Sequence, residues 1–333
     1  MNKLTILLVI LIGFTSGLKA TNRDETTLFS HPIDTLYDVN INGCQQKILV
    51  QSNNTENPIL LYLHGGPGSS IMFRSHIFAD RLKDHFIFVN WDQRGTALSY
   101  HEGMDTTQIS EDQIREDALE LIRYLLAKYH QKKVYLIGHS FGSVIGLQLV
   151  ANHPELFHAY IGVGQVAYDW NKSVAISYKW LHDQLVKAND TTGLERIETD
   201  QFPNIDLITK YGGHHRLSLD LDSMIRTSPH YFEGYFDLLR KGKELSVKYM
   251  GKYPQKQEEV NKSIWEIGVP LYFFEGTNDH VIACAPELVV EYCKKVKAPK
   301  KEVIWFGKSA HYMCVEEPEK FQDELIRIKA ENQ

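Results

Sequence analysis

Residues 134–152 read VYLIGHSFGSVIGLQLVAN. A short apolar run is closed by Gly138-His139-Ser140-Phe141-Gly142 and followed by a stretch of helical character. Few local structures accept this order. The run suits a strand buried on both faces, and the two glycines let the chain turn sharply without a Cβ clash. The turn lifts the Ser140 hydroxyl clear of the sheet, and the next helix aims its first N–H groups at developing negative charge. Residues 134–138 are therefore predicted as a strand, and the helix as running to about residue 151.

The same grammar recurs along the chain. Residues 58–65, 86–91, 160–165, 270–276 and 303–307 are apolar runs that end at or near a glycine or a polar residue. Ser110 with Gln113 forms a capping box. Behind it Ile114, Ala118, Leu121, Ile122 and Leu125 recur at helical spacing. Further helices are expected over 286–296 and 318–329. Asn42-Gly43, between two alternating segments, predicts a type I′ hairpin. Strand and helix alternate, so the expected architecture is a mostly parallel, doubly wound sheet. The alternation stops over 167–267, a charged, aromatic-rich, helical stretch that reads as an inserted cap. The core is then 21–166 together with 268–333.

Residues 1–20, MNKLTILLVILIGFTSGLKA, carry Lys3, an apolar run and small residues before Ala20. They read as a signal peptide cleaved near Ala20, too short for a stable membrane span. The mature protein is expected to be exported, periplasmic or extracellular. Loss of Lys3 and Lys19 takes the formal charge from −6 to −8. That sign, with no cluster of basic residues, excludes a nucleic-acid partner. Export permits disulfides among Cys44, Cys284, Cys293 and Cys314. Cys284 and Cys314 follow two site loops closely and are expected near each other, bonded or as free buried thiols. Sequons stand at Asn53, Asn171, Asn189 and Asn261.

A serine hydroxyl needs a base, and the base an orienting acid. The order Ser, Asp, His, with each at the carboxyl edge of a strand, selects Asp279 and His311. His280 is the runner-up base and Asp92 the rival acid. His64-Gly65-Gly66-Pro67-Gly68 ends an early strand, and the N–H groups of Gly66 and Phe141 would make an oxyanion hole. Trp91-Asp92-Gln93-Arg94-Gly95 ends another; Asp92 and Arg94 are expected to hold neighbouring loops. The chain shows no H-E-x-x-H, no clustered metal ligands, no phosphate-binding glycine loop and no G-x-G-x-x-G, so no metal or cofactor is expected.

With HGGPG at 64–68, WDQRG at 91–95, the Ser140 elbow, Asp279 in EGTND and His311 before Glu317-Pro318, the chain resembles an α/β-hydrolase of the prolyl aminopeptidase (proline iminopeptidase, peptidase family S33) type. The resemblance spans most of the mature chain. It implies Ser140 as nucleophile, His311 as base, Asp279 as its partner, an oxyanion hole at Gly66 and Phe141, and no metal. It implies release of an N-terminal proline or another small residue from short peptides. His139 and Phe141 stand where family peptidases usually carry Gly and Trp, and Ala97 follows Thr96 where a second glycine is common. Carboxylester hydrolysis would use the same machinery and stays open. A non-catalytic binding protein of this fold is the third reading. Family peptidases hold the substrate amine with cap acids, and Glu233 is the candidate here. Substrate partners are expected to be small molecules or short peptides; the oligomeric state stays open.

Overall fold

The computed structural model of the chain describes residues 32–166, 169–216, 218–250 and 263–332. The expected signal peptide, its cleavage point and the Asn261 sequon lie outside them. Eight strands form one sheet: β1 (Ile33–Ile41), β2 (Cys44–Ser52), β3 (Ile59–Leu63), β4 (Ile87–Asp92), β5 (Val134–His139), β6 (Phe157–Val163), β7 (Leu271–Gly276) and β8 (Lys301–Phe306). Their order is β1-β2-β4-β3-β5-β6-β7-β8. β2 is antiparallel to β1 and β4, and the remaining pairs are parallel. The β1–β2 hairpin closes as predicted, with Asn42 at φ 47° and Gly43 at φ 75°, both central residues left-handed as a type I′ turn requires.

The apolar runs are continuous because both faces of the sheet are covered. Along β3, Ile59, Leu61 and Leu63 enter one core and Leu60 and Tyr62 the other. The first core is closed by α1 (Glu111–Lys128), α2 (Phe141–Asn152) and α8 (Pro286–Lys295). The second is closed by residues 71–82, α9 (Met313–Glu316) and α10 (Pro318–Glu331). Ser110 caps α1 by accepting the Gln113 N–H. The apolar positions expected on α1 are all fully buried.

Between β6 and β7 come α3 (Trp170–Ala188), α4 (Thr191–Asp200), α5 (Ile205–Lys210), α6 (Leu221–Arg226) and α7 (Tyr235–Met250). The first three have their own small core around Leu181, Leu185, Ile197 and Ile208. The aromatic run 231–236 serves packing: Tyr235 is buried and stacks on Phe73 at 4.1 Å between ring centroids.

Arg94 and Asp92 hold loops together. The Arg94 guanidinium grips Asp117 through two bonds, Nε to Oδ2 at 2.6 Å and Nη2 to Oδ1 at 2.8 Å, and also donates to Gln108 and the Ile41 carbonyl. Gln46, Gln113 and Asn42 complete the shell around the Asp117 carboxylate. A buried charge pair needs this full satisfaction to offset its desolvation. Asp92 accepts the Leu98 N–H through Oδ2 and the Ser99 hydroxyl through its carbonyl.

Cys284 and Cys314 form no disulfide; of the two alternatives the free buried thiols hold, and Cys44 and Cys293 are free and buried as well. The two loops meet at Asp279 and His311, but the two thiols enter different clusters. Cys284 packs with Val144 and Val166, whereas Cys314, at the start of α9, points down beside the Tyr62 hydroxyl.

Candidate active site

Parallel pairing puts the ends of β3, β5, β7 and β8 on one edge. Leu63 is level with Gly138, and Gly276 with Phe306. Every loop that follows these strands therefore emerges on the same side.

Ser140 sits between β5 and α2 at φ 51°, ψ −122°, a strained backbone for a residue with a Cβ. The fold over-determines it. The Ser140 N–H donates to the Val163 carbonyl at 2.9 Å, and its own carbonyl accepts the Ser143 N–H at 2.8 Å. The flanking glycines are sterically required. A Cβ on Gly138 would lie 2.8 Å from the Gly142 carbonyl oxygen, and one on Gly142 would strike the Leu63 carbonyl oxygen. A Cβ on Gly65 would lie 2.8 Å from the Ser140 Cβ, so the glycine loop rests directly on the serine.

His311 and Asp279 meet: His311 Nδ1 lies 2.7 Å from Asp279 Oδ2. Asp279 is fully buried and its second oxygen accepts the Val281 N–H at 3.0 Å. With Nδ1 protonated toward the carboxylate, Nε2 of a neutral His311 keeps its lone pair for a proton. His311 is held on all sides. Its N–H donates to the His214 carbonyl, and its carbonyl accepts the His139 Nε2–H at 3.0 Å. A Cβ on Gly164 would lie 2.8 Å from its imidazole. One oxygen of Glu316 accepts both flanking amides, Ala310 N–H at 2.9 Å and Tyr312 N–H at 3.1 Å. Glu317 holds the same loop through Lys308 N–H and the Ser309 hydroxyl.

Ser140, His311, Gly65 and Gly66 line one cavity of about 450 Å³. Phe141 contributes the first N–H of α2, which no carbonyl one turn earlier can reach. Gly66, at φ +118°, presents the neighbouring loop. Behind it His64 is buried and held down to a pKa of about 4 by desolvation. Its Nε2 accepts the Gln93 N–H, and its Nδ1–H donates to the Gly65 carbonyl at 2.9 Å. The HGGPG and WDQRG segments thus brace each other. Burial also holds His139 well below its ordinary range, with His311 adding to the shift, so His139 is neutral.

The rival residues stand elsewhere. His280 stacks on Trp180 at 4.1 Å and bonds its N–H to Gly213. Asp92 faces Ser70 and Leu98, not the histidine. Glu233 is exposed and does not line the cavity. Among the described residues, no group of three or more His, Cys, Asp or Glu is placed to hold a metal ion.

Residues 55–318 match the family model described as serine aminopeptidase, S33. The chain belongs to this S33 serine aminopeptidase family. A probable aminopeptidase, YbaC of Bacillus subtilis, is 28% identical over 304 residues, covering 87% of this chain and 94% of the relative. A putative carbamate hydrolase, RutD of Agrobacterium fabrum, is 24% identical over 83% of this chain and 94% of its own. Among solved structures, VinJ superposes with a TM-score of 0.64 at 17% identity, covering 91% of this chain and all of that one. The proline iminopeptidase of Mycobacterium smegmatis gives 0.62 at 12% identity, covering 90% and 98%. The S33 chain described here has the α/β-hydrolase fold.

The sequence reading missed the supports of this S33 site. Glu316 carries one signal in the sequence: a carboxylate five residues past a loop histidine can reach back to its flanking amides. In the sequence, His139 shows only as a departure from the family elbow. Its bond to the His311 carbonyl joins segments 172 residues apart, and no local pattern signals it.

Proposed function

We propose that this S33 hydrolase works through Ser140, His311 and Asp279 by a two-step acyl-enzyme route, as an aminopeptidase releasing N-terminal proline or another small residue from short peptides. The 2.7 Å contact of His311 Nδ1 with the buried Asp279, behind a cavity that His311 and the strained Ser140 both line, carries this reading. Ser140 Oγ attacks the substrate carbonyl while His311 Nε2 takes its proton. The oxyanion is received by the Gly66 and Phe141 N–H groups. His311 then protonates the leaving amine, and water activated by the same nitrogen frees the acid. One oxyanion donor is worth about 10²–10³ in rate. The 167–267 segment acts as the cap that selects substrates. Residues 1–20 direct export and are removed.

The relative named a probable aminopeptidase supports the peptide reading. Carboxylester hydrolysis is the second reading. Among the described residues that line the cavity there is no carboxylate to meet a free substrate amine. Purified mature protein should be offered prolyl- and alanyl-naphthylamides beside short p-nitrophenyl esters, with Ser140→Ala as control. Prolyl release lost in Ser140→Ala supports the aminopeptidase. Ester turnover without amide cleavage supports the esterase. Turnover that survives Ser140→Ala overturns the serine mechanism, and none at all points to a narrower substrate or to the non-catalytic binding reading. N-terminal sequencing of the exported protein should begin at residue 21.

A further inference from the structure

Among the described residues, the charges that line the cavity are of one sign. Among its described lining residues are Arg74 and Lys243, and no Asp or Glu. Arg74 stands on the turn Met72–Ile77. Its Nε donates to the Leu221 carbonyl at 3.1 Å and Nη1 to the Ser70 carbonyl at 3.5 Å. Two neutral carbonyls fix the guanidinium's orientation and leave its charge without a counterion among the described residues. A guanidinium has five N–H donors, so most of the fork is open.

Lys243 is on α7, one turn before Val247, and both line the cavity. The acids of that helix are engaged elsewhere: Asp237 with Arg240 and Lys241, Glu244 with Arg240. Lys243 has no such partner among the described residues. The cavity's other titratable groups do not balance the two cations. Burial, with His311 next in size, holds His214 down to about 3, and His139 is also neutral. Asp279 is sealed behind His311. Two unpaired cations beside the nucleophile favour a bound anion and disfavour an ammonium.

We infer that Arg74 and Lys243 form a carboxylate-recognition site, so that the substrate is a small amide or ester with a free carboxylate a few bonds from the scissile carbonyl. The planar Arg74 fork fits both carboxylate oxygens, and Lys243 supplies a mobile point charge. This rests on Ser140 as nucleophile and holds for either the peptide or the ester reading. The C-terminal carboxylate of a dipeptide and the distal carboxylate of a half-ester share the required chemistry.

The test compares kcat/KM for matched pairs. Mono-p-nitrophenyl esters of linear dicarboxylic acids, from succinate to suberate, are set against p-nitrophenyl esters of monocarboxylic acids of equal chain length. Prolyl-alanine is set against prolyl-alanine amide. In at least one pair the anionic member should be preferred by about tenfold or more, and which pair responds identifies the source of the carboxylate. The preference should fall toward one in Arg74→Gln/Lys243→Gln, survive in part in Arg74→Lys, and shrink in salt of about 0.5 M. Equal turnover within every pair, or a preference unchanged in the double variant, overturns the inference. If no pair turns over, protection of Ser140 from a fluorophosphonate is read instead. Glutarate should slow labelling more than pentanamide, and equal protection or none overturns the inference. Failure of Ser140 to label overturns the serine mechanism itself, and the inference with it.

Discussion

The Nε2–H of His139 donates to the main-chain carbonyl of His311 at 3.0 Å. The residue before Ser140 thus fixes the backbone of His311. The two rings lie 4.9 Å apart, and burial keeps His139 neutral, so it steadies His311 without competing for its proton. His139→Phe keeps a ring of similar volume and removes the donor. The unsatisfied carbonyl costs about 1–3 kcal/mol. We expect kcat to fall by about tenfold with KM changed less than about threefold, and His139→Gln to recover part of kcat. An equal loss in kcat and protein stability, with no recovery by Gln, would reduce His139 to a packing residue.

The strands, the hairpin, the α1 cap and the positions of Ser140, Asp279 and His311 were legible because each depends on neighbours close in sequence. A doubly covered strand must be apolar throughout, a capping box must have its two residues three apart, and an elbow must have its glycines. What was not legible depends on side-chain direction after long excursions. Cys284 and Cys314 follow loops that converge, yet their thiols enter different clusters. Glu233 was the cap acid expected to meet a substrate amine, yet Tyr235, two residues on, turns inward onto Phe73 and Glu233 stays in solvent. Arg74 and Lys243, 169 residues apart in the sequence, meet at one cavity without any shared motif.

Glu316 clamps the His311 loop. One oxygen takes the Ala310 and Tyr312 amides and the other takes the Arg216 N–H at 2.7 Å. Glu316→Ala orphans three amides, each of whose bonds to a charged acceptor is worth about 1.5–3 kcal/mol. With part of that regained from water, we expect about 2–3 kcal/mol of lost stability by urea unfolding. Glu316→Gln retains one acceptor oxygen, enough for the Ala310 and Tyr312 amides but not for Arg216 as well, and should lose less than the Ala variant. A Gln variant as unstable as Ala would show that the negative charge, not the acceptor geometry, holds the loop.

Gly65 and Gly142 should fail differently. A Cβ at 142 meets the Leu63 and His64 carbonyl oxygens, which belong to the sheet edge and cannot retreat. Gly142→Ala should cost more than about 3 kcal/mol or abolish soluble expression. A Cβ at 65 meets the Ser140 Cβ at 2.8 Å and the His139 carbonyl at 3.0 Å. Gly65→Ala should fold and displace the serine, lowering kcat by about 10²-fold, as small misplacements of a nucleophile do. Circular dichroism and steady-state kinetics on the two variants separate these outcomes; a Gly65→Ala enzyme of normal kcat would refute the contact.

Asp92 gives the protein a stability that depends on pH. The carboxyl is fully buried at the end of β4, and desolvation lifts its pKa to about 7 against bonds from Ser70 and Leu98 that lower it. In the unfolded chain the group titrates near 3.8. Between these values the folded state holds a proton that the unfolded state has lost. Stability therefore falls as pH rises from about 4 to about 7 and stays reduced above that. Three pH units at 1.36 kcal/mol each bound the effect at about 4 kcal/mol. Asn at this position keeps an oxygen for the Leu98 N–H and carries no charge at any pH. Asp92→Asn should match the wild type near pH 4 and exceed it at pH 8, as read from urea midpoints across that range. Parallel stability curves for the two proteins would mean that Asp92 stays ionised in the fold.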